Sequence, residues 1–85
     1  MDKYYWIIDR DVIGCDALAL TGPAYPTEDR TNAAKFRMRD DDGVVYFYGR
    51  IFGEYEGFEP LDDFGMPCAG CVDIQYKVEG EWKSL

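Results

Sequence analysis

Apolar and polar side chains alternate most regularly over residues 35–52 (KFRMRDDDGVVYFYGRIF), and the rest of the chain reads as arranged about that stretch. A period of two, rich in β-branched and aromatic residues and broken at Asp41-Asp42-Gly43, predicts a β-hairpin. Phe36 and Met38 alternate with Arg37 and Arg39, and Val45, Phe47, Gly49 and Ile51 alternate with Tyr46, Tyr48, Arg50 and Phe52. Successive side chains of a strand point to opposite faces. Pairing Met38 with Val45 or Phe47 therefore separates an apolar face from one carrying Arg37, Arg39, Tyr46 and Tyr48. A three-residue loop with Gly43 left-handed would set Met38 against Tyr46 instead. The cleaner separation favours the first register.

Around the hairpin the pattern is shorter and more broken. Residues 4–9 (YYWIID) predict a strand that is apolar on both faces, hence covered or central. Residues 12–20 fit a short helix, against which Gly14 counts by about 1 kcal/mol, or a strand over 17–20. Thr21-Gly22-Pro23 stops the run. Thr27 is placed to cap a short helix over 28–35, with Glu28 and Asp29 near its positive end. Residues 53–70 (GEYEGFEPLDDFGMPCAG) keep no period and read as a long irregular loop, tacked down by Phe58, Leu61, Phe64 and Met66. Residues 71–78 alternate again, with Val72, Ile74, Tyr76 and Val78 inward and Asp73, Gln75 and Lys77 outward. A turn at Glu79-Gly80 then lets residues 81–85 pair back or bring Trp82 to one end of the core. The expected fold is α+β, mainly β: a small antiparallel sheet of three to four strands, one short helix and the long loop.

Composition adds a class to this outline. Eighty-five residues suit one small acidic domain with a modest core. With 47% apolar and 16% aromatic residues, the chain is not of disordered composition. No apolar run approaches the ~20 residues of a membrane span and no basic-then-apolar leader opens the chain, so a cytoplasmic location and no membrane partner are expected. Charge is uneven: residues 1–39 balance, residues 40–63 hold eight acids against Arg50, and the net charge is −8. A nucleic-acid backbone needs a positive footprint, so direct nucleic-acid binding is not expected. A protein partner with a basic surface, or a solvated face, fits the acidic stretch.

The candidate chemistry is sparse. Cys68 and Cys71 have the C-x-x-C spacing and Cys15 is the third thiol, but a structural zinc site takes four ligands and the chain has no histidine. The motif also precedes a predicted strand rather than the helix of a thioredoxin-like pair. Glu59, Asp62 and Asp63 are close in sequence, yet an acid/base pair needs environments that drive the two pKa values apart. Asp40-Asp41-Asp42-Gly43 is not a calcium loop, because the twelfth position from Asp40 is Ile51 rather than a closing glutamate. No phosphate-cradling glycine loop or nucleophile elbow is present. No enzyme, cofactor or metal is therefore expected.

What remains is a small protein-interaction module. Its candidate contacts are Asp40, Asp41, Asp42, Glu54, Glu56, Glu59, Asp62 and Asp63 as an acidic surface, in one version a mimic of a nucleic-acid backbone. A second candidate surface is Arg37, Arg39, Tyr46 and Tyr48, residue types enriched at interface hot spots. A cysteine-based metal- or redox-responsive module and a structural subunit or homodimer are the alternatives.

Overall fold

The computed structural model describes residues 3–23, 27 and 33–85. Six strands, β1 (Tyr4–Asp11), β2 (Thr21–Gly22), β3 (Ala34–Arg39), β4 (Val45–Gly53), β5 (Asp73–Val78) and β6 (Glu81–Ser84), form one sheet in the order β2-β1-β4-β3-β5-β6. Every pairing is antiparallel. The expectation of three to four strands is thus corrected to six. The two extra strands are short edges, two and four residues long, which carry too little alternation to stand out.

The central hairpin forms as its pattern dictates, with Met38 opposite Phe47. Its turn takes Gly43 at φ 81°, closed by hydrogen bonds from the Gly43 amide to the Asp40 carbonyl and from the Asp40 amide to the Val44 carbonyl. Both features of the two competing registers therefore coexist. A bulge between Met38 and Arg39 absorbs the odd residue and restores the apolar alignment.

The expectation of an irregular loop over 53–70 is also corrected. A π-helical turn, Leu61–Gly65, runs directly into α1 (Met66–Ala69), making one nine-residue helix. Pro67 has no N–H to give to the carbonyl four residues back, and the ladder widens there: the Met66 amide bonds to the Leu61 carbonyl. Gly70, left-handed, ends the helix with its amide on the Met66 carbonyl. A helix interrupted by proline and glycine shows no 3.6-residue period, which is why the sequence reads as loop.

Of the short helix expected over 28–35, residues 28–32 lie outside the described residues, and Ala34 and Lys35 belong to β3. Residues 12–20 form neither helix nor strand. They fold back along β1, with the Ile8 amide on the Leu20 carbonyl and the Ala19 amide on the Ile8 carbonyl. Asp11 holds this return, accepting from the amides of Gly14 and Ala17 at 2.9 Å each.

Both β4 and β5 flank β3, so the segment joining them crosses one face of the sheet and brings the helix over it. Trp6, Ile8, Phe36, Met38, Phe47, Ile51, Ile74 and Tyr76 from the sheet meet Leu61 and Phe64 from the helix. Phe64 lies 5.0 Å from the Phe47 ring and 5.9 Å from the Trp6 ring. Gly65 permits the approach, since a Cβ there would run into the Met38 thioether. Each such aromatic or aliphatic side chain contributes about 1.5–3 kcal/mol on burial. Among the described residues no helix is long and apolar enough to cross a membrane.

Candidate functional site

Among the described residues, the second face of the sheet has no helix over it. Period-two alternation places there the side chains that do not enter the core: Tyr5, Ile7, Tyr48, Arg50 and Phe52 from β1 and β4, Lys35, Arg37 and Arg39 from β3, and Asp73, Gln75 and Lys77 from β5. One transverse row runs Arg10–Tyr48–Arg37–Gln75–Ser84 across five strands. Trp82 pairs with Lys77 and lies beside this row. At the bulge between Ile8 and Arg10, Asp9 also turns to this side and pairs with Arg50 at 2.8 and 2.9 Å.

The row is ordered by specific contacts. The Arg37 guanidinium stands 4.6 Å above the Trp82 ring, and its Nε donates to Gln75 Oε1 at 2.7 Å. Gln75 in turn donates to the Ser84 hydroxyl at 3.2 Å. Tyr48 meets Trp82 edge to face at 5.9 Å, and Arg10 lies 5.8 Å over the Tyr48 ring. Beside the touching rings of Tyr48 and Trp82 opens a cavity of about 290 Å³, lined also by Gly49 and Phe36 and by Lys35, Lys77 and Asp9.

The sign of this face is opposite to that of the chain. Among the described residues, six cations (Arg10, Lys35, Arg37, Arg39, Arg50 and Lys77) stand against two carboxylates, Asp9 and Asp73, a surplus of four positive charges. The two carboxylates are used by Arg50 and Arg39. Arg10, Lys35, Arg37 and Lys77 have no ion-pair partner among the described residues. The sequence average hides this, because alternation sorts charges by face while a count along the chain does not. The two-residue turn at Glu79-Gly80 was the available signal: it fixes Val78 opposite Glu81, and so sets Trp82 on the side of Lys77 and Gln75.

Of the residues singled out from sequence, Arg37, Arg39 and Tyr48 meet on this face. Tyr46 does not join them. Displaced by the hairpin bulge, it packs against the helix-side core and gives its hydroxyl proton to Asp40. That bond raises the Tyr46 pKa. Asp40 is held below the usual carboxylate range, first by the Val44 amide and also by Tyr46 and the Asp42 amide.

The acidic residues do not form one surface. Asp40, Asp41 and Asp42 lie at the start of β4 and Glu54 and Glu56 just past its end, and nine residues of strand span about 30 Å. Several are engaged internally. Glu59 accepts from the amides of Glu56 and Gly57 at 2.8 and 2.7 Å, and Asp63 accepts from Trp6 Nε1 at 3.0 Å and from the Tyr4 hydroxyl at 2.7 Å. Asp41, Asp42, Glu54, Glu56 and Asp62 remain exposed. The Asp63 carboxylate also borders a concavity of about 450 Å³ between Trp6, Gly22, Pro23, Phe64 and Cys68.

Cys15 and Cys68 are exposed and Cys71 is buried. Burial, with Asp40 and Cys15 nearby, pushes the Cys71 thiol up to about 11, away from the reactive thiolate. Among the described residues, only Asp40, Asp41 and Asp42 bring three potential ligand atoms within 4.8 Å of one another, and the three cysteines form no such group. Comparison with family models, with curated proteins and with solved structures finds no match for this chain.

Proposed function

We propose that this protein is a small interaction module that docks a protein partner on the uncovered face of its sheet. The observation that carries the reading is the interlocked set Arg37, Tyr48 and Trp82, half-buried and held in place by Gln75. Trp, Tyr and Arg are the residue types that dominate interface hot spots. Their side chains are already ordered here, so docking sacrifices less rotamer freedom than it would at a flexible surface. The exposed acids at the ends of β4 form a secondary contact set for a basic partner. A backbone-mimic reading has less support, since it needs a contiguous row of free carboxylates and the acidic residues are split about 30 Å apart.

Co-purification from the native host's lysate tests this with two variants. Proteins retained by the wild type are expected to be lost with Arg37→Ala/Trp82→Ala and kept with Asp41→Asn/Asp42→Asn. The reverse outcome transfers the contact surface to the acidic turn and overturns the proposal.

A further inference from the structure

Resting on the docking reading above, we infer that the partner element is an acidic peptide segment, one of whose apolar or aromatic side chains enters the cavity that Tyr48 and Trp82 line together. Charge complementarity is the first argument. Arg10, Lys35, Arg37 and Lys77 stand around these two rings without an ion-pair partner among the described residues, and the one carboxylate lining the cavity, Asp9, is paired with Arg50. The exposed acids of the hairpin turn and of Glu54 and Glu56 belong to opposite ends of the nine-residue β4. The screening length at physiological salt is about 8 Å. A local surplus of positive charge is therefore felt by a ligand lying on the face, although the chain as a whole is at −8.

The shape of the site narrows the occupant. At about 290 Å³ the cavity is at the small end of ligand pockets, which run from about 300 to 1,000 Å³. It has the dimensions for one inserted side chain. Its walls are two aromatic rings and its floor is Gly49 with Phe36, an apolar interior. The rim is different: Lys35 and Lys77 carry ammonium groups, the Asp9 carboxylate there is taken up by Arg50, and Lys35 and Arg37 are two residues apart on one strand, about 7 Å. That spacing matches the two-residue repeat of an extended peptide, in which a carboxylate two positions from the inserted residue points to the same side.

Single-stranded nucleic acid is the competing polyanion, and the rings argue against it. Base binding on a sheet uses aromatic faces open for successive stacking. Here Arg37 covers Trp82 at 4.6 Å, Arg10 lies over Tyr48, and the two rings meet at 61° rather than presenting parallel platforms. Face-to-face docking of a second copy is disfavoured, because it would bring two like-charged surfaces together.

An amide-resolved NMR titration separates these cases. The probes are a short synthetic peptide with aspartate and glutamate flanking a central phenylalanine, the same peptide with asparagine and glutamine in their place, and a thymidine oligonucleotide. The acidic peptide is expected to shift the amides of Tyr48, Gly49, Lys77 and Trp82. Lys35→Glu/Lys77→Glu, at two exposed positions, is expected to weaken it by about tenfold or more, and Asp41→Asn/Asp42→Asn to leave it unchanged. Equal binding of the amide peptide at the same residues would overturn the acidic assignment while leaving protein docking intact. Tighter binding of the oligonucleotide would overturn it in favour of nucleic acid. Self-association through these residues in sedimentation would replace the peptide with a second copy. No response to any peptide overturns the inference, and the docking reading then stands or falls on the co-purification variants alone.

Discussion

The two faces of this sheet are made by alternate residues of the same strands, yet they are held by different physics. On the helix side, Phe36, Met38, Phe47, Ile51 and Ile74 are fully or almost fully buried, and cohesion is dispersion and water exclusion. On the open side, Arg37, Tyr48 and Trp82 are only partly buried and hold one another by cation–π, edge-to-face and hydrogen-bond contacts. Such contacts order side chains but add only about 0.5–1.5 kcal/mol each. One face thus maintains the fold, while the other is ordered without being essential to it. A surface of that kind is free to be used for binding.

The comparison is broken most severely from the covered side. Phe36→Ala, at a position with no solvent exposure, is expected to cost about 3–5 kcal/mol, measured by urea unfolding. Because a small domain has a total stability of about 5–15 kcal/mol, this change brings the chain close to unfolding. Gly49→Ala comes next. A Cβ at that site would meet the Ile7 carbonyl and the ring of Phe36, so the strand spacing must give, at about 1–3 kcal/mol. The Phe36 ring lying over Gly49 is what fills the space a side chain would take.

Cys71 sharpens the contrast without a mutation. Its thiol pKa rises from 9.0 to about 11 on folding, so above pH 9 the unfolded chain loses this proton while the folded chain keeps it. Stability from this group is complete below pH 9 and falls as pH climbs from 9 towards 11, a slope that Cys71→Ala removes. Alkylation followed by mass spectrometry is expected to label Cys15 and Cys68 quickly and Cys71 only at the rate of opening. The smallest effect belongs to the open face. Arg37→Ala should change unfolding free energy by less than about 1 kcal/mol, while removing the Trp82 contact and so changing the near-ultraviolet dichroism of that ring. A loss as large as that of Phe36→Ala would mean that both faces carry the fold.

Part of this protein is written locally. The alternation of residues 35–52, the turn residues Asp41-Asp42-Gly43 and the final alternating strand determine β3, β4 and β5, with Met38, Phe47, Ile74 and Tyr76 inward as expected. Those features depend on one period and on neighbours a few residues away. Val72 and Val78 show where the pattern stops being a guide, for both point inward by alternation yet stay about half exposed. The helix itself, the edge strands and the charged face are decided by tertiary structure. Leu61–Ala69 is helical because packing of Leu61 and Phe64 on the sheet outweighs the interruption by Gly65 and Pro67. Charge on the open face is gathered from four strands, and only their order in the sheet, with β6 at its edge, places Arg10, Arg37, Lys77 and Trp82 side by side. Sequence records which face a side chain takes on its own strand. The neighbours it meets there depend on strand order, which is settled by burying one shared core.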